Sequence, residues 1–270
     1  MNHQKLGKFV YPGPAAGYSY HNHSTWSDGK STMEEMCRSA KAAGLREFGL
    51  SDHYVNHPAK ELMPVDWSID LDRVGEYIEQ LHLLKAELDD ENFTIRCGLE
   101  VDFFFENIDD VMAELEQYPL DYLIGSVHYA GTFPLDYCKE SWEELSDEEI
   151  AALCTIYWNK LAGAAEYGKF LFLGHLDLLK KFGFYHHPEN YASSVLQVLD
   201  AAAATGTGIE LNTSGWFKPC QVQYPSLAIL KEANARRIPV VITPDAHDCA
   251  HVDRNFKEAE AVLKEAGFCR

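Results

Sequence analysis

Histidines and carboxylates recur in short clusters along this chain, and those side-chain types together suit the binding of divalent metal ions. The clusters are His21-Asn22-His23, Ser27-Asp28-Gly29, Ser51-Asp52-His53, Gly98-Leu99-Glu100-Val101-Asp102, Gly125-Ser126-Val127-His128, Gly174-His175-Leu176-Asp177 and Asp245-Ala246-His247. A His-x-His pair on a strand turns both rings to one face, so both nitrogens can reach one ion. Glu100 has two carboxylate oxygens and can bridge two ions. The nine candidate ligands are His21, His23, Asp28, His53, Glu100, His128, His175, Asp245 and His247. They exceed the four positions of a tetrahedral zinc site and suit two or three ions. Imidazole and carboxylate without thiolate point to zinc, iron or manganese. Each cluster alone has a plainer reading. Asp28 before a glycine reads as a turn residue. Asp52 reads as a carboxylate orienting an imidazole or as a helix N-cap. His175 reads as a hydrogen-bonded core histidine. The joint pattern carries the inference.

Such residues must be brought together by the elements that hold them. Seven apolar runs read as strands: 18–22, 47–51, 94–101, 122–127, 170–174, 208–212 and 238–243. They are mostly not strictly alternating, as parallel strands buried on both faces should be. Helical patterns separate them at 32–43, 70–88, 108–117, 147–167, 191–204, 226–236 and 255–266. Ser31 with Glu34, or Thr32 with Glu35, supplies a capping box for the first helix. Alternation of strand and helix predicts a parallel sheet with right-handed crossovers. Seven or eight units close a barrel; an open doubly wound sheet is the alternative. The glycine-rich phosphate loops of nucleotide folds do not follow any of these runs. In a barrel the histidine-bearing strand ends share one rim, where such folds put their active sites. The connections 54–67 and 130–146 are long enough to serve as lids.

Composition narrows the classes. Hydrophobic residues make up 46% of 270 residues, enough for one large domain with a real core. No apolar run approaches the roughly 20 residues of a membrane span. Residues 1–14 lack the apolar core of a signal peptide, so a soluble cytoplasmic protein without a membrane partner is expected. Seven cysteines with no C-x-x-C pair read as reduced thiols. The formal charge of −19, from 23 basic and 42 acidic residues, argues against a nucleic-acid partner. Most of that charge serves solubility, and bound cations would offset it locally.

The ordered motifs resemble those of the polymerase-and-histidinol-phosphatase (PHP) family, and among its members the stand-alone histidinol-phosphate phosphatases. The resemblance spans about residues 18–250. It implies an α/β fold, a distorted seven-stranded (β/α)7 TIM-like barrel, as a single domain over residues 1–270. It also implies a trinuclear site. By matched motifs His21, His23, Glu100 and Asp245 would hold one ion. Glu100, His128 and His175 would hold a second. Asp28, His53 and His247 would hold the third. Some relatives have histidine at the position of Asp28.

The activity implied is hydrolysis of a small phosphorylated substrate, L-histidinol phosphate first, a step of histidine biosynthesis. A hydroxide bridging two ions would attack phosphorus, with Glu100, Asp245 and His247 as catalytic residues. Two segments, Gly174-His175-Leu176-Asp177-Leu178-Leu179 and Glu210-Leu211-Asn212-Thr213-Ser214-Gly215, resemble those that carry phosphate-binding residues in the histidinol-phosphate enzymes, and relatives commonly place an arginine after each. Here Lys180 and Lys181 follow the first, while Trp216, Phe217 and Lys218 follow the second. Lys180 and Lys218 are the expected phosphate-binding residues, and Lys181 is read as part of a solvated face. Asp102 and the acids of 130–150 could favour a cationic substrate. Competing readings are a phosphoesterase for another ester, a non-catalytic metal-binding module, and metal-assisted amide hydrolysis. The last lacks a lysine at a strand end. His3, His57, His82, His186, His187 and His251 receive no metal. His251 and Arg254 follow the last motif closely enough to touch substrate, but the surface reading is favoured for both.

Overall fold

Each strand pairs with the next one in the sequence. The computed structural model describes residues 17–61 and 65–268. The readings over residues 1–14 and of His3 lie outside the described residues, as do residues 62–64 of the first long connection. The strands are β1 (Tyr18–Ser19), β2 (Glu47–Leu50), β3 (Thr94–Asp102), β4 (Tyr122–Ser126), β5 (Phe172–Leu173), β6 (Gly208–Asn212) and β7 (Val240–Thr243). All neighbouring pairs are parallel and run in that order. A short piece, His53–Tyr54, extends the pairing against the end of β3. Between β7 and β1 one parallel bridge, Asn22 with Ala246, takes the place of a ladder. There the His23 N–H donates to the Ala246 carbonyl at 2.8 Å and the Ala246 N–H to the His21 carbonyl at 3.3 Å. The sheet is thus a nearly closed seven-stranded barrel, and the open-sheet alternative is excluded.

Helices fill the crossovers: α1 (Met33–Ala42), α2 (Val74–Leu88), α3 (Ile108–Leu115), α4 (Asp147–Tyr167), α5 (Ala192–Thr205), α6 (Leu227–Ala235) and α7 (Phe256–Glu265). Thr32 caps α1, and Glu35 returns the bond to the Thr32 N–H. Ser31 instead accepts from the Cys249 N–H at 3.0 Å, tying α1 to the segment after β7. On α1 Met33, Met36, Cys37 and Ala40 are buried, the stripe that 3.6-residue spacing places on one face. Ser146 and Glu149 form the same box on α4, which Gly168 ends in the left-handed region at φ 68°. The six described cysteines are unpaired. No described helix is long and apolar enough to cross a membrane.

Below the rim the barrel interior is filled by Tyr20, Tyr122, Ile124, Phe172 and Val241. Burial of each such side chain contributes about 1.5–3 kcal/mol. The Tyr122 hydroxyl donates to the Tyr20 carbonyl at 2.6 Å. A Cβ at Gly49 or Gly98 would strike the Tyr122 ring, so both positions need glycine for close approach. This layer is the floor on which the polar rim sits.

Five strands are shorter than the runs that predicted them, and β1 and β5 are cut back most, to two residues each. The ladder of β1 stops at Ser19, although 18–22 reads as a strand. There the Asn22 side chain donates to the Gly49 carbonyl at 2.9 Å, and the chain turns toward Ala246. The ladder of β5 stops at Leu173, because the His175 N–H donates to the Glu210 carboxylate. Side chains at the rim have taken ladder hydrogen bonds.

Candidate metal centre

All nine candidate ligands lie past or at the C-terminal ends of strands, on one rim. His21 and His23 follow β1, and Asp28 sits on the loop beyond them. His53 extends β2, Glu100 lies within β3, His128 follows β4, His175 follows β5, and Asp245 and His247 follow β7. Asp245 adopts a left-handed backbone, φ 48°, at the seam of the barrel. That conformation is uncommon outside glycine, and aspartate tolerates it better than most residues.

Glu100 is the hub. Its Oε1 lies 3.0 Å from His175 Nε2 and 3.7 Å from His128 Nε2. Its Oε2 lies 2.9 Å from His53 Nδ1, 3.1 Å from His21 Nε2 and 3.5 Å from His23 Nε2. The two oxygens therefore face different sets of imidazoles. Asp245 Oδ1 adds contacts at 3.3 Å to His23 and 3.7 Å to His21. Asp28 lies 3.2 Å from His247 Nε2 and 3.6 Å from His53 Nε2. Four groups have ligand atoms within 4.8 Å of one another: His23/Asp28/His53/His247, His21/Glu100/His175, His21/His23/Asp245 and His53/Glu100/His128.

These approaches suit shared cations better than direct bonds. His21 Nε2, both ring nitrogens of His23, His53 Nδ1 and Glu100 Oε2 are buried with no hydrogen-bond partner among the described residues. Buried polar atoms ordinarily find partners. Here several donors of the type preferred by zinc, iron or manganese converge, and a multi-metal group fits them.

The electrostatics point the same way. Burial opposes charge on Glu100, but the His21, His53 and His128 rings outweigh it and hold the carboxyl well below the usual range. Asp245 is likewise held low, by His21, His23 and His247 against the cost of burial. Burial also disfavours a charged His21, yet Glu100, Glu210 and Asp245 pull its imidazole well above its ordinary value. His128 is pushed up to about 10 despite burial, through Asp102 and Glu100. His23 moves the other way, to about 3, because of burial and then the neighbouring His53 and His247. The carboxylates thus stay anionic and draw positive charge onto their imidazoles, and a metal cation would supply that charge in place of the protons.

A supporting layer fixes the candidates in place. Glu210 was not singled out by the sequence. Its carboxylate contacts His21 Nδ1 at 2.8 Å and accepts from the Thr243 hydroxyl at 2.6 Å. Strand period would have shown it: Glu210 and Asn212 share a face of β6. Asn212 Nδ2 and the Ser214 hydroxyl both donate to Asp245 Oδ2 at 3.2 Å, leaving Oδ1 toward the histidines. The Ser126 hydroxyl donates to Glu100 Oε1 at 2.6 Å. A Cβ at Gly174 would collide with that hydroxyl. Trp67, also missed, packs edge-on against His53 and His128 at centroid distances of 4.7 and 5.4 Å.

Several expectations are corrected. Asp102 is not a rim acid; it is buried, accepts from the His128 N–H at 2.8 Å and contacts His128 Nδ1 at 3.2 Å. Asp52 neither caps a helix nor touches an imidazole. It accepts from the Ser24 N–H and hydroxyl and from the Ser27 hydroxyl, at 2.7, 2.9 and 2.6 Å, and so holds the loop that presents Asp28. Lys181 does not lie on a solvated face. Its ammonium donates to the Asp136 carbonyl at 2.6 Å, and its side chain is only 13% exposed. Asp136 is thereby an acid of the 130–150 connection that is paired; burial opposes its charge, but Lys181, His128 and His175 hold its carboxyl low. Lys180 is paired with Asp177 at 2.8 Å and donates to the Gln223 carbonyl at 2.7 Å. Lys218 is partly exposed beyond the turn Ser214–Phe217. Among the described residues no hydrogen bond or ion pair joins either lysine to the cluster. Arg254, read as a surface residue, is half-buried with its guanidinium over the Phe217 ring.

Residues 19–214 match a family model described as the PHP domain. The chain is 33% identical over 236 residues to a probable histidinol-phosphatase of Deinococcus radiodurans, covering 87% of this chain and 88% of that protein. It is 30% identical over 239 residues to a histidinol-phosphatase of Bacillus subtilis, covering 82% and 89%. A crystal structure of histidinol phosphate phosphatase from Lactococcus lactis, complexed with zinc, L-histidinol and phosphate, aligns with a TM-score of 0.78 at 22% identity over 94% of each chain. That likeness shows a shared fold.

Proposed function

This chain belongs to the PHP domain family, and from that premise we propose that it is a metal-dependent phosphomonoesterase whose substrate is L-histidinol phosphate. One observation carries the reading: the buried Glu100 carboxylate turns each oxygen to a different set of imidazoles, as a carboxylate shared between cations would. His21, His23, Glu100 and Asp245 would hold one ion, Glu100, His128 and His175 a second, and Asp28, His53 and His247 a third. The distances also let His53 share in the second group and His23 in the third. Bound cations of this kind lower the pKa of water and draw charge from phosphoryl oxygens.

The chain's own residues set the geometry for that chemistry. Glu100 and Asp245 fix the charge at the centre, from strands on opposite sides of the rim. His247 and Asp28 form its open side, with side chains 30% and 36% exposed, so the ester would enter past them. Trp67 stacks on Tyr129 and closes the opposite wall, keeping water off His53 and His128. The substrate follows from the relatives, two of which are histidinol-phosphatases or probable ones at 30% identity or more. The net charge of −19 also favours a cationic amino alcohol over an anionic nucleotide. Because Lys180 is already engaged by Asp177, another small ester remains the second reading.

A substrate panel tests this on metal-loaded protein. Histidinol phosphate should exceed p-nitrophenyl phosphate in kcat/KM by at least about tenfold. Equal rates would remove the substrate and leave the phosphoesterase. No phosphate released from any ester would remove both.

A further inference from the structure

The segment between β7 and α7 carries Arg254, which makes no ion pair among the described residues. The Arg254 guanidinium lies flat enough over Phe217 to bring its carbon within 3.9 Å of the ring centroid. Its Nε is buried with no hydrogen-bond partner among the described residues. The backbone is pinned too: the Arg254 carbonyl accepts from the Thr213 hydroxyl at 2.8 Å, which ties the segment to the end of β6. The residues on either side of Thr213, Asn212 and Ser214, both donate to Asp245 Oδ2 at 3.2 Å, so the segment that carries Arg254 is fastened beside the Asp245 edge of the rim. Asp245 does not complete an ion pair with it. That carboxylate already serves Asn212, Ser214, His21 and His23.

A half-buried guanidinium is costly to leave unpaired, and a strongly acidic protein has ample carboxylate to pair it. Stacking on an aromatic ring holds the planar group in one orientation and leaves its edge free for donation. The fork of N–H donors matches a tetrahedral oxyanion, and Arg binds such anions bidentately where Lys acts as a point charge. An anion placed between this fork and the cluster would be neutralised from both sides.

We propose that Arg254, oriented by Phe217, is the residue that grips the phosphoryl oxygens of the substrate at the Asp245 edge of the site. The assignment rests on the phosphoesterase reading for its purpose, but its test does not need turnover. Binding of inorganic phosphate to zinc- or manganese-loaded protein is measured by calorimetry for the wild type, Arg254→Ala, Arg254→Lys and Phe217→Ala, with metal content per chain determined for each. Arg254→Ala should weaken phosphate binding by about 10- to 100-fold with metal content unchanged. Arg254→Lys should recover part of the loss, and Phe217→Ala should lose less than Arg254→Ala. Phosphate affinity within twofold of wild type in Arg254→Ala, a parallel fall in bound metal, or a wild type that binds no phosphate would each overturn the assignment. If the phosphate effect holds while histidinol phosphate is not hydrolysed, Arg254 stands and the substrate reading falls.

Discussion

Glu210 does at the rim what the candidate ligands cannot do for themselves. Its carboxylate lies 2.8 Å from His21 Nδ1, which leaves Nε2 facing Glu100 and Asp245, where it would offer its lone pair to a bound cation. It also receives the His175 N–H and the Thr243 hydroxyl, so one buried carboxylate fixes two candidate ligands. Glu210→Gln is nearly isosteric but can offer an amide N–H where four donors now point, the Asn212 amide included. We expect metal affinity to fall by roughly 10- to 100-fold, with kcat falling alongside, as for other partners of metal-bound histidines. Chelator competition measures the affinity, and near-UV circular dichroism checks the fold. Unchanged affinity with native packing would show that His21 needs no such support. The candidate ligands were legible because their types and motif order are unusual together. Glu210 was marked only by sharing a face of β6 with Asn212, and its service to His21 and Thr243 depends on other strands. Arg254 was legible only as a neighbour of the last motif, because the ring that orients it, Phe217, lies far away in sequence.

At the scale of elements, the hairpin of Tyr129–Ala130 and Phe133–Pro134 holds His128 in place, and α4 holds the hairpin. The link is Lys160, a lysine on the buried face of α4. Its ammonium donates to the Tyr129 carbonyl at 2.8 Å and lies 3.9 Å from the centroid of the Phe104 ring. Burial lowers its pKa from 10.5 to about 8, although Asp102 and Glu106 oppose the shift. Below about 8 both folded and unfolded chains hold the proton, and the cost of the buried charge is fully present. Between about 8 and 10.5 the unfolded chain binds more protons, so this residue makes stability rise with pH across that window. The gain is on the order of 1–3 kcal/mol. Lys160→Met should flatten the rise, seen by comparing thermal unfolding of the two proteins at neutral pH and near the top of the window. Parallel curves for wild type and variant would remove Lys160 as the cause. The start of α1 was legible from its cap, as Thr32 and Glu35 show. The early ends of β1 and β5 were not, since they depend on side chains from other strands taking ladder amides.

Across the whole molecule, seven strands alternating with helices were legible from apolar runs alone, but the quality of the closure was not. Six neighbouring strand pairs form ladders, whereas β7 meets β1 only at Asn22 and Ala246. The same seam is flanked by His21 and His23 on one side and by Asp245 and His247 on the other. Cations shared across it would join the two ends of the barrel by coordination where backbone hydrogen bonds are few. Removing metal should therefore loosen this seam before the ladders. A cation at about a thousand times its dissociation constant adds about 4 kcal/mol of stability. For a chain of this size that corresponds to a melting temperature roughly 5–15 °C higher. Hydrogen exchange of chelator-treated protein should rise first at the amides of His23 and Ala246, and reloading zinc or manganese should restore both protection and melting temperature. If exchange instead rises evenly over all strands, or the melting temperature ignores the metal, the cluster does not hold the barrel shut.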